Sequence, residues 1–228
     1  MAHEEAVAAY TKAIEQKPKD ATLYNDRGGV YMVLRKFPEA AADFAKVIEL
    51  EPKQFNGYSG RGAALNEQNQ FDAALADLNK ALELKPNEPR TLERRGLVYF
   101  KQKNYDLALA DYNKALEQQP NSTLALNRRA DVFIAQKQYQ LAQADLEAVL
   151  RVRPDDFKAL DRLDRVRMLM APPPAAAATA AAVAATPRPT PVPQLLTRTN
   201  VFIAIGVLLV IGIIVILIAK KMMTRPLD

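Results

Sequence analysis

Through most of residues 1–170, apolar side chains recur every three or four residues, the spacing of one face of an amphipathic helix. In the segment YDLALADYNKALEQ the apolar positions are Leu107, Leu109, Tyr112, Ala115 and Leu116. The preceding segment TLERRGLVYFKQ has the same helical spacing, with the small residue Gly96 on its apolar side. A short polar turn separates the two segments. The pattern therefore predicts pairs of helices joined by short turns.

The helix pairs repeat every 34 residues without an insertion. ALADLNKALELKP, residues 74–86, is followed by ALADYNKALEQQP, residues 108–120, and ten of the thirteen positions agree. Further columns follow the same step: Pro18, Pro52, Pro86, Pro120 and Pro154; Ala6, Ala40, Ala74, Ala108 and Ala142; Tyr10, Phe44, Leu78, Tyr112 and Leu146; Gly28, Gly62, Gly96 and Ala130. Proline cannot continue the helix that precedes it, and glycine or alanine allows two helices to approach closely. Each column therefore has a structural meaning within a helix pair.

This pattern resembles the tetratricopeptide repeat (TPR) family in its period, its small residue in the first helix, its Ala and aromatic columns in the second, and its terminal proline. The resemblance covers about residues 3–170 and implies an all-α fold, a superhelix of stacked helix hairpins. The expected TPR domain spans 1–170, with a half repeat at 3–18, full repeats at 21–52, 55–86, 89–120 and 123–154, and a capping helix at 156–170. The Trp that is common in the family's first helix is absent here, and Tyr24, Tyr58, Leu92 and Leu126 take its place.

The last quarter of the chain has a different composition. Residues 171–200 are rich in proline and alanine, which favours an extended linker without a packed core. Residues 201–219, VFIAIGVLLVIGIIVILIA, carry no charged or polar side chain, and as a helix they match the roughly 30 Å thickness of the bilayer hydrocarbon. We predict a single transmembrane helix there, followed by a short basic tail at 220–228. A buried core helix is the alternative, but the sequence offers no other hydrophobic helices to surround it.

Composition and charge argue against two classes of function. The chain has no Cys and one His, and it shows no nucleophile–base pair, metal-ligand spacing or Gly-rich phosphate loop. We therefore predict no enzyme activity, no cofactor and no metal. The net charge is +5, but five of the 31 basic residues and one of the 26 acidic residues follow residue 171. The repeat region is thus almost neutral, and nucleic acid is not an expected partner.

Charged residues also recur with the repeat. Four arginines are each followed sixteen residues later by an aspartate: Arg27 and Asp43, Arg61 and Asp77, Arg95 and Asp111, Arg129 and Asp145. Catalysis would need one unusual site, whereas four equivalent copies indicate a contact that joins the first helix of each repeat to the second. A planar guanidinium can hold both oxygens of a carboxylate, so we expect bidentate pairs.

The resemblance implies that ligands bind the concave face lined by the first helices, at positions two, five, six, nine and twelve of each repeat. The candidate peptide-binding residues are Asn25, Ser59, Arg90, Arg94, Asn127, Arg128 and Asp131. Asparagine can pair with a peptide backbone, and arginine with a carboxylate.

Some TPR proteins hold the acidic C-terminal tail of heat-shock chaperones with a two-carboxylate clamp of Lys, Asn and Arg. Arg90 and Arg94 match one pair of clamp positions, but Asn25, Gly29 and Gly60 occupy the others. This departure weakens the case for chaperone-tail binding. It leaves open an acidic peptide of another kind, or arginines that are only solvated.

Together these features predict a membrane-anchored scaffold or adaptor that binds protein or peptide partners in its groove and the bilayer through 201–219. One alternative is a structural protein that forms oligomers at the membrane, because no first helix precedes Ala6 and Tyr10 in the half repeat. Another is a co-chaperone or targeting receptor for acidic tails. The start of the chain lacks a signal-peptide pattern, so the repeats are expected in the cytoplasm at the plasma membrane, with an organelle outer membrane as the alternative.

Overall fold

The computed structural model describes residues 2–171, in which all regular structure is helical and no strand occurs. The ten helices are α1 (Ala2–Gln16), α2 (Ala21–Val33), α3 (Phe37–Leu50), α4 (Phe55–Glu67), α5 (Phe71–Leu84), α6 (Pro89–Lys101), α7 (Tyr105–Gln118), α8 (Thr123–Ala135), α9 (Tyr139–Val152) and α10 (Phe157–Met170). The predicted all-α repeat fold is confirmed. Helices α2, α4, α6 and α8 are the first helices of the four full repeats, and α3, α5, α7 and α9 are the second helices.

The helices stack in two layers. Each helix packs against its neighbours in the chain, and each first helix also contacts the first helix of the next repeat. Consecutive second helices lie farther apart. Closer spacing in one layer than in the other curves the stack, so the first helices line the concave side.

Turn chemistry fixes where the helices begin and end. The side chains of Asp20, Ser122 and Asp156 accept hydrogen bonds from backbone N–H groups in the first turns of α2, α8 and α10. Each first helix of a full repeat ends two residues before a residue in the left-handed region. These four residues are Arg35, Asn69, Lys103 and Lys137, with φ between 59° and 61°. The left-handed residue reverses the chain, so the second helix returns alongside the first.

The repeated small residues set the distance between the two helices of a pair. The side chains of Ala40, Ala74, Ala108 and Ala142 are completely buried. A Cβ added at Gly96 would lie 2.7 Å from the ring of Tyr112. Real contacts are longer than this, so only glycine allows α6 to pack this closely on α7.

The two ends of the stack differ from its interior. Helix α1 contains no buried residue, and Ala6 and Tyr10 keep part of their surface exposed although their counterparts in the other repeats are buried. Helix α10 buries Ala159, Leu163 and Val166 against the stack, and its other side carries charged residues, as expected of a polar cap.

Three predictions lie outside the described residues: the linker beyond Ala171, the transmembrane helix at 201–219 and the basic tail at 220–228. Within residues 2–171, no helix has both the length and the apolar character needed to cross a bilayer.

Candidate functional site: the concave groove

Four arginines join the first helices to the second helices. We call Arg27, Arg61, Arg95 and Arg129 the seam arginines. Each donates two hydrogen bonds of 2.7–2.8 Å, from Nε and Nη2, to both carboxylate oxygens of the aspartate sixteen residues later. The four aspartates are buried. A buried carboxylate needs such a partner, and each pair joins the first helix of its repeat to the second.

Three seam arginines reach one helix further. The Nη1 atom of Arg27 donates to Thr11 Oγ1 at 2.9 Å, and those of Arg95 and Arg129 donate to Asn79 and Asn113 Oδ1 at 2.7 Å. These acceptors lie in the second helix of the preceding hairpin, so each guanidinium ties three helices together. The equivalent position before Arg61 is Ala45, which has no side-chain acceptor.

The concave groove contains two adjoining cavities, of about 490 Å³ and about 340 Å³, which we call the large and the small cavity. Both are lined by Gly29, Phe44, Arg90 and Arg94. The large cavity adds apolar walls at Met32, Leu97 and Leu124. The small cavity adds polar groups from Asn25 and Ser59. The groove therefore offers apolar and cationic surfaces next to each other.

Arg94 lies half-buried in the wall between the cavities. Its Nη1 donates to Ser59 Oγ at 2.8 Å, and the Ser59 and Thr91 hydroxyl oxygens are 2.9 Å apart. Burial and the charge of Arg90 lower the pKa of Arg94 to about 10, which leaves the side chain charged at neutral pH. No carboxylate of residues 2–171 forms an ion pair with it, so its charge is balanced only at longer range.

Glu88 and Glu93, the acidic residues whose charges act on Arg94, are already engaged. Glu88 pairs with Lys85 at 2.8 Å, and Glu93 accepts a 2.7 Å hydrogen bond from the Ser122 hydroxyl. Their charges oppose the lowering of the Arg94 pKa without contacting the guanidinium. A ligand carboxylate would supply the direct partner that the described chain does not.

Arg90 and Arg128 extend the cationic surface. Arg90 is exposed at the start of α6, and Arg128 lines the large cavity from α8. The Nε of Arg128 is buried and has no hydrogen-bond partner among residues 2–171. We call Arg90, Arg94 and Arg128 the groove arginines, and none of them pairs with a carboxylate in the described part of the chain.

Two predicted ligand residues, Asn127 and Asp131, line neither cavity. Both side chains instead contact Arg162 of the capping helix α10. The Nη1 of Arg162 donates to Asn127 Oδ1 at 3.1 Å, and its Nη2 lies 3.3 Å from Asp131 Oδ2. Burial raises the pKa of Asp131, and the charges of Arg162 and then Arg128 oppose that shift. These side chains therefore bind α10 to α8. The cavities instead bring together Asn25, Ser59, Arg90, Arg94 and Arg128.

Sequence reasoning did not select Phe44, and it gave Asn66 only as position twelve of its repeat on the concave face. Phe44 belongs to a second helix, yet its ring packs against Gly28 and Gly60 and lines both cavities. Glycine at facing positions of α2 and α4 was the available signal. Asn66 is 3% exposed and lines the large cavity, and its Oδ1 has no hydrogen-bond partner in the part of the chain that the structure describes.

Comparisons with known proteins agree with this architecture. Models described as tetratricopeptide repeat match residues 3–57, 89–122 and 124–156, and one described as TPR repeat matches residues 62–103. Comparison with curated proteins gives no match.

Three solved structures show the range of similarity. YrrB, described as a TPR protein with an unusual peptide-binding site, is 26% identical over 70% of this chain and 82% of its own, with a TM-score of 0.55. The first TPR of Spaghetti (RPAP3), bound to HSP90 peptide SRMEEVD, is 25% identical over 52% of this chain and 94% of its own, with a TM-score of 0.51. A thermophilic TPR protein of Thermus thermophilus is 19% identical over 73% of this chain and 91% of its own, with a TM-score of 0.65, and shows the fold alone.

Proposed function

The chain belongs to the tetratricopeptide repeat family, and on that premise we propose that it is a membrane-tethered adaptor whose groove binds acidic segments of partner proteins. Proteins of this family mediate protein and peptide binding. The acidic class of ligand and the membrane tether are the parts that the proposal adds.

The observation that carries the proposal is the unbalanced charge of Arg94. Within the described part of the chain, this half-buried guanidinium donates only to a neutral hydroxyl, so it has lost hydration without gaining an ion pair there. A carboxylate placed in the groove would accept charge-assisted hydrogen bonds from Arg94, and Arg90 lies beside it. Binding would then restore the interactions that burial removed, and the open groove leaves room for the ligand to arrive.

A neighbouring structure supports the acidic class of ligand. The Spaghetti domain is bound to a peptide, SRMEEVD, with three acidic residues. In the present chain, Arg90 and Arg94 correspond to clamp positions, whereas Gly29 and Gly60 leave other clamp positions without a side chain. We therefore expect an acidic ligand that differs from a chaperone tail.

The membrane tether rests on the sequence of residues 201–219. Nineteen residues without a polar side chain suit one crossing of a bilayer, and a Pro/Ala-rich linker would hold the repeats away from the surface. Tethering would raise the local concentration of partners at the membrane without new contacts. Alkaline carbonate extraction tests this: the full chain should stay with the membranes, and a chain ending at residue 200 should be released. Release of the full chain would contradict the tether.

Peptide selection tests the groove. Random peptides would be selected on the full-length chain in detergent, and their affinities measured by fluorescence anisotropy. We expect acidic peptides whose affinity falls about tenfold or more in Arg94→Met, because hydrogen bonds to a charged group are lost. The control Arg151→Met, which removes an exposed arginine of α9, should change affinity less than about twofold. Selected peptides without acidic residues, or equal effects of the two variants, would contradict the proposal.

Self-assembly is a second candidate function. The observation in its favour is the exposure of α1. Its apolar side is partly exposed, whereas the other second helices bury the equivalent side. A second copy seated there would cover Ala6 and Tyr10. Multi-angle light scattering of the full-length chain in detergent should then show a dimer or larger species that Tyr10→Glu converts to a monomer. A monomer at high concentration would exclude this candidate.

A further inference from the structure

Gly29 differs from the other helical glycines of residues 2–171. A Cβ built at any of the other five, Gly28, Gly57, Gly60, Gly62 and Gly96, would lie within 3.1 Å of a neighbouring side chain. At Gly29 no atom of residues 2–171 other than its own helix backbone lies within 4 Å of the added atom. Packing therefore explains the other glycines and does not explain this one.

A glycine at this position also weakens the helix. Gly29 lies inside α2 and is exposed, where alanine would be the better helix former. Glycine is favoured where a ligand must come close to the backbone. Since the fold has no use for the missing side chain, the open volume above Gly29 points to a bound molecule.

The residues around that volume indicate what would fill it. Gly29 lines both cavities, and the ring of Phe44 lies at their base. Met32 and Leu97 form apolar walls on the large-cavity side. A large apolar side chain fits this environment, because it would remove the surrounding carbon atoms from water.

Asn66 is an independent sign of a ligand in the same cavity. The residue is 3% exposed and its Oδ1 accepts no hydrogen bond from residues 2–171, although its Nδ2 donates to Glu67 at 3.0 Å. Buried polar atoms without a partner are rare in folded proteins. A backbone N–H of a bound peptide could satisfy this oxygen if the side chain turned it toward the cavity.

We propose that the space above Gly29 receives a large apolar side chain of the bound peptide, two residues from an acidic residue held by Arg94 and Arg90. Alternate side chains of an extended segment point the same way, so residues i and i+2 can both enter the groove. The ligand class is thus an extended protein segment with an acidic residue and a Phe, Tyr, Leu or Met two positions away. This inference rests on the proposed function, because it assumes that the groove arginines hold the acidic residue.

Two variants of Gly29 test the idea with opposite effects on stability and binding. Gly29→Ala and Gly29→Leu should raise the thermal midpoint, because the new side chain meets open space in a helix. Gly29→Leu should also lower the affinity of acidic peptides selected on the wild type by about tenfold or more, because it fills the volume that their apolar side chain needs. Lower thermal midpoints for both variants would show that the fold requires this glycine and would overturn the inference.

The control places a leucine elsewhere. Ala73→Leu puts the same side chain on an exposed position of α5, where the equivalent positions of α7 and α9 already carry Leu107 and Leu141. Peptide affinity should change less than about twofold in this variant. An equal loss in Ala73→Leu and Gly29→Leu would overturn the inference.

The selection itself separates the two proposals. With nine-residue random peptides, wild-type selection should enrich an acidic residue with a large apolar residue two positions away. Selection on Gly29→Leu should keep the acidic residue and favour Gly, Ala or Ser at the apolar position. An unchanged apolar preference in the variant would overturn this inference and leave the acidic groove standing. No enrichment of acidic residues on either protein would overturn both.

Discussion

Arg94 and Arg95 are neighbours in the chain, yet they belong to two different surfaces. Arg95 faces the second helix of its own repeat and forms a bidentate pair with the buried Asp111. Arg94 faces the groove, and within residues 2–171 it donates only to a serine hydroxyl. Arg128 and Arg129 repeat the contrast one hairpin later. The difference shows that the partner, not the residue type, separates an arginine that stabilises the fold from one that is available to a ligand.

Helix geometry explains how adjacent residues reach different surfaces. Successive residues of an α-helix are about 100° apart around its axis, so one can face the second helix while the next faces the groove. The repeat uses the first position four times, with four matching aspartates. The groove-facing position, one residue before the seam arginine, is an arginine only in α6 and α8 among the four first helices, and the groove becomes cationic there. If this contrast holds, replacing a seam arginine should lower stability, and replacing a groove arginine should lower peptide affinity.

The largest loss of stability is expected when a seam arginine is replaced. Arg95→Met leaves the buried Asp111 without a cation, which costs about 3–5 kcal/mol of unfolding free energy. Urea unfolding of the full-length chain measures this loss. The double variant Arg95→Met with Asp111→Leu should recover most of it, because no buried charge remains. A loss below about 1 kcal/mol in the single variant would place the pair among ordinary surface ion pairs.

Arg94→Met should leave stability within about 1 kcal/mol of the wild type, because no buried carboxylate loses its partner. The Ser59–Thr91 contact can persist without it. The same urea unfolding experiment gives the comparison with Arg95→Met. If the two variants destabilise the protein equally, Arg94 is a structural residue and the contrast between seam and groove fails.

Ala45→Asn should stabilise the protein at Arg61, the seam arginine that has no acceptor in the preceding second helix. An Asn at this position gives Arg61 the acceptor that Asn79 and Asn113 provide to the next two seam arginines, and we expect a gain of about 0.5–1.5 kcal/mol. Asn79→Ala is the matched control and should lose a similar amount. A gain in both variants, or in neither, would show that this bridge does not stabilise the stack.

The smallest effect on stability and peptide affinity is expected when the replaced cation is neither a seam nor a groove arginine. Lys103 follows α6 in the left-handed region at φ 61°, which glycine adopts more easily. Lys103→Gly should therefore raise the unfolding free energy by up to about 1 kcal/mol and leave peptide affinity unchanged. A fall in affinity would mean that total charge, rather than the groove arginines, attracts the ligand.

Spacing was enough to predict pairs of helices that repeat every 34 residues, and the resemblance to the tetratricopeptide repeat family implied that these pairs stack into a superhelix. The matched columns likewise led to the prediction that Arg95 would lie beside Asp111, where the structure places it. The groove was less predictable, since its contents depend on side chains from different repeats. Arg162 binds Asn127 and Asp131 from 31 to 35 residues away, and Phe44 reaches the cavities only because glycines face it.

A double-mutant cycle tests the central claim most directly. It would combine wild type and Arg94→Met with a selected acidic peptide and its copy in which the acidic residue is replaced by the neutral amide. If Arg94 holds that carboxylate, the two changes share one interaction, and the coupling free energy should be at least about 1 kcal/mol. Additive effects, with a coupling near zero, would contradict the account.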